Sequence, residues 1–167
     1  ELFSGNHRLL DQAYSPMTLR FFLLQAHYRS TLDFSNEALK AAEKGFQRLM
    51  GGVKNLEEIS PSPNSDININ NWCEKLYAQL NDDLSTPQVI ATLFEAVKWI
   101  NELNSNRLKI SKEDLETLEK TFKLFVFEIL GFVSEKNNHD QILDGIMSLV
   151  FDIRNSAKQN KDWDTAD

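Results

Sequence analysis

The fold is decided by the stretch TPQVIATLFEAVKWINEL, residues 86–103. Thr followed by Pro is typical of a helix start, because a hydroxyl can cap the first turn and proline's missing N–H costs no hydrogen bond there. The large apolar side chains that follow recur at the spacing of one helix face. They are Ile90, Leu93, Phe94, Val97, Ile100 and Leu103. The stretch therefore predicts a helix that buries one side against other helices.

Two more helices are predicted toward the N-terminus. Ser15, followed by proline, marks the start of the first. Leu19, Phe22, Leu23 and Ala26 recur at the spacing of one buried face, and Phe21 and Leu24 broaden it, so we expect this helix to be buried on several sides. Ser35 marks the start of the second helix, and Gly51-Gly52 marks its end, because glycine tolerates the left-handed conformation that follows many helices.

Three further helices are predicted around residues 86–103. One contains Trp72 and Leu80, one begins at Ser111 and ends at Gly131, and one begins near Asp140. Short connections favour antiparallel neighbours. We therefore expect an all-α protein, in which an antiparallel bundle of about four helices follows a smaller helical region.

A linker is predicted at residues 55–71, which hold two of the four prolines among serines and asparagines. On this interpretation residues 1–54 and 72–167 are separate units. All of the excess negative charge lies after residue 60.

Composition excludes several classes of protein. The single cysteine, Cys73, excludes an internal disulfide framework and a cysteine zinc cluster, and we expect it to be a small buried thiol. No apolar run is long enough for a membrane span. The net charge of −7 argues against a nucleic-acid module that relies on a broad positive field.

Catalytic motifs are not evident in the sequence. It has no glycine-rich phosphate loop, no G-x-S-x-G, no H-E-x-x-H and no EF-hand loop. His7, His27 and His139 are far apart in sequence, and we interpret them as surface or packing residues rather than ligands. Asp82-Asp83 could form a carboxylate pair, but a helix end followed by a turn is the favoured interpretation.

Basic residues recur near the C-terminus. Arg154, Lys158 and Lys161 follow one another at spacings of four and three, and Trp163 comes next. Cations beside an aromatic ring can hold a nucleic-acid strand through phosphate attraction and base stacking. The spacing is equally that of a solvated helix end whose cations interact with the helix dipole.

Three segments together resemble bacterial cysteinyl-tRNA synthetases. SPMTLRFFLLQAHYRSTLDFS, residues 15–35, is similar to the stretch that follows the Lys-Met-Ser-Lys-Ser loop of that family. DDLSTP, residues 82–87, is similar to the Asp-Asp-Phe-Asn-Thr-Pro that begins the second helix of the family's anticodon-binding domain. KDWDTAD, residues 161–167, resembles its C-terminal element. Three matches in the right order are more specific than any one alone.

The resemblance implies a division of the chain. Residues 1–54 correspond to the stem-contact region and 55–71 to a linker. Residues 72–160 correspond to the helical bundle called the DALR domain, and 161–167 to the start of a truncated anticodon-reading element.

The resemblance also implies a function. The parent enzymes are cytoplasmic, monomeric ligases that attach cysteine to tRNA-Cys with ATP, and they use a zinc ion to grip the cysteine thiolate. None of the motifs that do this is in the chain, so we expect a non-catalytic fragment without metal or cofactor. Its expected partner is tRNA, docked at the inner corner and anticodon stem. Cysteine and ATP would be reached only through the catalytic domain, and no membrane contact is expected.

Six residues are candidate tRNA contacts. In the family a basic, an aromatic and an acidic residue contact the anticodon bases, and the matching positions are Lys158, Trp163 and Asp167. Lys158 replaces the usual arginine and keeps the charge, but it lacks the bidentate fork. The remaining candidates are Arg29, Arg154 and Lys161.

Two alternatives remain open at the level of sequence. A related ligase joins cysteine to an amino sugar in mycothiol synthesis and needs no anticodon reader, so the Lys161-Asp162-Trp163 element argues against it. A helical protein–protein interaction module without an RNA role fits the charge of −7 best.

Overall fold

The computed structural model describes residues 2–134, 149–151, 154, 155 and 158. Five α-helices form its framework: α1 (Pro16–Leu24), α2 (Asn36–Leu56), α3 (Ile69–Asn81), α4 (Thr86–Asn104) and α5 (Lys112–Lys123). A π-helical segment, Leu124–Ile129, continues α5. The described residues contain no strand, and the all-α prediction is confirmed.

Serine caps begin three of the helices as predicted. The hydroxyl oxygens of Ser15, Ser35 and Ser111 each accept a hydrogen bond from the backbone N–H three residues later. In α4 the cap position is Ser85 rather than Thr86, and no side chain caps this helix. The Thr86 hydroxyl instead donates to the carbonyl oxygen of Leu24, 2.8 Å away, which joins the start of α4 to the end of α1.

The predicted end of α2 at Gly51-Gly52 is wrong, because the helix continues to Leu56. Gly52 is buried inside α2, and a Cβ atom there would lie 2.8 Å from Cγ2 of Val97. The glycine is therefore explained by the close approach of α2 to α4, rather than by a helix end.

The prediction for the buried side of α1 is confirmed at Phe21 and Phe22 and is wrong at Leu23. Its buried residues are Thr18, Phe21 and Phe22, whereas Leu23 is 51% exposed. Phe21 turns inward because its ring packs with three other phenylalanine rings of the core, those of Phe46, Phe94 and Phe132. Ala26 lies beyond the end of the helix.

Gly131 ends the helical run after α5, as predicted. Its φ of +64° is in the left-handed region, and a Cβ atom there would lie 2.5 Å from Nη2 of Arg20. The Nε–H of Arg20 donates to the carbonyl oxygen of Leu130 at 2.7 Å. An α1 side chain thus satisfies a carbonyl at the end of this helix.

The predicted linker is bonded to the residues that precede α5. The N–H of Ser62 donates to the carbonyl oxygen of Ile110 at 2.7 Å, and that of Asp66 to Lys109 at 3.0 Å. A carboxylate oxygen of Asp66 accepts from the N–H of Lys109. The hydrophobic core is continuous across α1 to α5, and the compact units are 1–133 and 134–167. The functional division into four regions stays a prediction.

The helix predicted from Asp140 lies mostly outside the described residues. Those described, at 149–151, 154, 155 and 158, are helical and exposed. No helix in the described part of the chain is both long and apolar enough to cross a membrane.

Candidate nucleic-acid interface

Two turns meet on the surface of the first unit. One follows α1 and contains His27, Tyr28 and Arg29, and the other connects α3 to α4 and contains Asp83. These four residues are called the Asp83 cluster below. Both turns belong to segments that sequence analysis singled out, and they are brought together by side-chain contacts across more than fifty residues of chain.

Asp83 is the centre of the cluster. The Tyr28 hydroxyl donates to Oδ1 of Asp83 at 2.6 Å, and Nη1 of Arg29 lies 3.1 Å from Oδ2. Nε2 of His27 lies 3.7 Å from the same Oδ2. Each carboxylate oxygen therefore has its own donor in the opposite turn, and charge assistance strengthens both contacts.

The backbone of the second turn is unusual. Asp83 and Leu84 both have φ of +52°, in the left-handed region that residues with a Cβ rarely adopt. Backbone hydrogen bonds hold this conformation, from the N–H of Leu84 to Leu80 and from the N–H of Ser85 to Gln79 and Asp82. These hydrogen bonds hold the turn in a conformation in which the Asp83 carboxylate contacts the turn that follows α1.

The outer side of the cluster is an aromatic and cationic surface. The His27 and Tyr28 rings stack with centroids 4.7 Å apart, and Cζ of Arg29 lies 5.2 Å from the Tyr28 centroid. Tyr28 is 62% exposed and the Arg29 side chain 69%. An exposed ring beside a guanidinium can stack a nucleobase and pair with a phosphate.

The hydrogen bond to Asp83 also changes the chemistry of Tyr28. It raises the pKa of the Tyr28 phenol above its ordinary value, because only the protonated phenol can donate this hydrogen bond. At neutral pH the ring therefore stays a neutral donor.

The structure separates the predicted site residues. Arg29 lies in the Asp83 cluster, in the first unit. Arg154 and Lys158, in the second unit, are each helical and exposed. Lys161, Trp163 and Asp167 lie outside the described residues.

Three members of the cluster, His27, Tyr28 and Asp83, were not predicted as site residues. The interpretation of Asp82-Asp83 as a helix end and turn agrees with α3 ending at Asn81, but the bonds from Asp83 to Tyr28 and Arg29 were not foreseen. His27 is half-buried and stacked on Tyr28, close to the surface role expected of it. A signal was present, since polar and aromatic side chains in a connecting turn often bind ligands.

Zinc does not fit the residues seen here. Within the described ranges no group of three or more His, Cys, Asp or Glu side chains could hold a metal ion. Cys73 is half-buried, and its thiol lies 3.5 Å from Oγ1 of Thr121.

Comparison with known proteins gives a family match and relatives. The DALR domain family matches residues 75–134. A cysteine--tRNA ligase of Bacteroides thetaiotaomicron is 49% identical over 172 residues, which cover 100% of this chain and 35% of that protein. Ligases of the same name from Parabacteroides distasonis (47% identical) and Porphyromonas gingivalis (43%) match with the same coverage. The chain thus spans about a third of the length of these relatives.

Proposed function

We propose, from the homology of this chain over its whole length to cysteine--tRNA ligases, that it is the tRNA-binding portion of such a ligase. The observation that carries the proposal is the 49% identity over the entire chain, supported by the DALR domain at residues 75–134. In the complete enzyme, cysteine would be attached to its tRNA in the cytoplasm by a monomer. ATP and zinc would be bound by parts of the enzyme other than these residues.

The proposed task is docking without catalysis. Residues 1–54 would lie along the inner corner of the tRNA, and residues 72–160 along the anticodon stem. Shape and a few cations would hold the RNA, because the chain as a whole carries −7 and cannot supply a broad positive field. The acceptor end would then reach an active site in the remainder of the ligase.

Two surfaces would contact the RNA. In the first unit, the guanidinium of Arg29 would pair with a phosphate, and the exposed face of Tyr28 would stack on an unpaired base. In the second unit, Arg154, Lys158 and Lys161 would contact the anticodon stem and loop, together with Trp163 and Asp167. The exposure of Arg154 and Lys158 supports this role, and their spacing of four residues is that of one helix face.

The test is binding of a cysteine tRNA transcript to the 167-residue chain, measured by gel shift at low salt. We expect weak binding that falls as salt increases, because phosphate contacts release counterions. No shift at low salt would contradict the proposal and favour a protein–protein interaction module.

A double variant tests the second surface. Lys158→Ala combined with Trp163→Ala removes a cation and a stacking ring, and we expect weaker binding of the cysteine tRNA. Unchanged binding would show that the anticodon assignment is wrong. The matched control is Lys98→Ala, which removes one exposed cation from α4, outside both proposed surfaces.

Enzymatic activity gives an independent check. A measurable rate of cysteine-dependent ATP–pyrophosphate exchange by this chain alone would contradict the non-catalytic part of the proposal.

A further inference from the structure

We propose that Asp83 is a positioning residue that holds Tyr28 and Arg29 in the orientation in which they meet RNA. This inference rests on the function proposed above and extends it to a residue that would touch no RNA itself. The carboxylate would act as a fixed brace between the turn that follows α1 and the turn that precedes α4.

The geometry of the contacts supports a brace. Asp83 uses Oδ1 for the Tyr28 hydroxyl and Oδ2 for Nη1 of Arg29, so it restrains two consecutive side chains at once. Asp83 contacts only the hydroxyl of Tyr28 and one amino group of Arg29. Both side chains stay largely exposed, although His27 stacks on the Tyr28 ring and the Arg29 guanidinium lies over it, and their exposed parts would stack on a base and pair with a phosphate.

The backbone of the turn that contains Asp83 is itself held in a fixed conformation. Asp83 and Leu84 both have a left-handed φ. The Leu84 side chain is exposed, so its burial does not account for this conformation. Such a conformation persists only where the surroundings impose it. Here backbone hydrogen bonds to the end of α3 impose it, and Thr86 bonds the end of α1 directly beside the cluster.

Holding Tyr28 and Arg29 in place before RNA binds would lower the entropy cost of binding. Tyrosine and arginine side chains in an exposed turn sample many rotamers, and a ligand that selects one of them must offset the lost entropy. A carboxylate that already holds both side chains removes part of that cost before RNA arrives. An acidic residue can therefore increase affinity for a polyanion, although its own charge repels it.

The experiment compares two neighbouring carboxylates. Asp83→Asn keeps the size of the side chain and tolerates positive φ, but it replaces one of the two acceptor oxygens with an NH2 donor, so the separate contacts to Tyr28 and Arg29 cannot both persist. The matched control is Asp82→Asn, which removes the same charge one residue earlier, from an exposed side chain outside the cluster. Binding of the cysteine tRNA transcript is measured for both variants in the 167-residue chain.

We expect Asp83→Asn to weaken binding about fivefold, whereas Asp82→Asn leaves it unchanged or slightly tighter. Tyr28→Phe, which removes one of the two donors without altering the second turn, should weaken binding about twofold. In a Tyr28→Ala/Arg29→Ala background, Asp83→Asn should not weaken tRNA binding further, because both side chains that Asp83 positions are absent.

A titration separates positioning from general damage to the fold. In a background of Tyr14→Phe and Tyr77→Phe, tyrosinate absorbance reports Tyr28 alone. Asp83→Asn should lower the pKa of Tyr28 toward its ordinary value, Asp82→Asn should not, and the circular dichroism spectra of all variants should match.

Three results would overturn the inference. The first is that the Asp83→Asn variant binds the tRNA as tightly as Asp82→Asn. The second is that Asp83→Asn still weakens binding in the Tyr28→Ala/Arg29→Ala background. If the unaltered chain binds the tRNA in either case, the proposed function survives without the positioning role of Asp83. Failure of the unaltered chain to bind the tRNA would overturn both proposals together.

Discussion

The connection between α2 and α3, residues 57–68, is hydrogen-bonded through Ser62, Ser65 and Asp66 to the residues before α5. The connection between α1 and α2, residues 25–35, meets α4 and its preceding turn chiefly through the Asp83 cluster. The first connection has the composition of a flexible linker, but hydrogen bonds hold it in place. The second carries aromatic and basic side chains and leaves them exposed. Composition alone therefore does not reveal which connection is free to bind a partner.

The difference lies in where each connection places its polar groups. In the first, Ser65 and Ser111 both donate through their hydroxyls to the carboxylate of Asp114, and the N–H of Ser111 donates back to Ser65 at 2.8 Å. These groups satisfy one another inside the protein. In the second, the exposed faces of Tyr28 and Arg29 remain available for an external partner. The polar groups of the first connection are therefore used within the protein, whereas the second leaves side chains exposed, as the proposed RNA contact requires.

The largest expected effect comes from removing the apolar support of the first connection. Ile110 is 1% exposed, and its carbonyl accepts the N–H of Ser62. Ile110→Ala should lower the free energy of unfolding by about 3 kcal/mol, because it leaves a cavity beneath these bonds. Urea unfolding measures the change, and a loss below about 1 kcal/mol would contradict the assigned role.

A smaller loss is expected at the carboxylate that joins the first connection to α5. Asp114→Ala removes the acceptor of both Ser65 and Ser111, and should lower the free energy of unfolding by about 2 kcal/mol. The control is Glu113→Ala, which removes an exposed acidic residue from the same first turn of α5. Equal losses in the two variants would mean that helix-dipole effects, rather than the hydrogen bonds, explain the result.

The second connection should behave in the opposite way. Asp83→Asn breaks contacts between side chains that are exposed to solvent, so the free energy of unfolding should change by less than about 1 kcal/mol. The same urea measurement checks this, beside the loss of tRNA affinity expected above. A large loss of stability would remove the contrast between the two connections.

The smallest expected effect is the pH dependence of the hydrogen bond between Tyr28 and Asp83 in the second connection. The pKa of Tyr28 is raised by its hydrogen bond to Asp83, so the contact is fully present below the ordinary tyrosine pKa of about 10 and is lost as pH rises through the higher folded value. Tyrosinate absorbance in the Tyr14→Phe/Tyr77→Phe background should show this transition. A Tyr28 that titrates at its ordinary value would contradict the contact.

Much of the local structure was predictable because its causes are local. Ser15, Ser35 and Ser111 cap helices through N–H groups three residues away, so a short sequence window contains the whole interaction. Gly131 ends a helix run for a similar reason. Gly52 has the same chemistry but was misinterpreted, since its role depends on Val97 in another helix.

The candidate site was predictable only in part. Arg29 was selected through a family resemblance, and the matches to cysteine--tRNA ligases agree with that resemblance. Its bond to Asp83 could not be foreseen, because the contact joins two turns whose meeting depends on the packing of α1 against the bundle. The roles of Lys161, Trp163 and Asp167 stay predictions, since these residues lie outside the described part of the chain.

The sequence by itself determined the all-α class, the three serine-capped helix starts and the family resemblance, because caps, apolar periodicity and motifs are properties of neighbouring residues. Only the tertiary structure decided that Leu23 of α1 is exposed, why Gly52 is glycine, and which carboxylate holds Tyr28 and Arg29. Each of these depends on the distance between groups on different elements, and that distance exists only once the helices have packed.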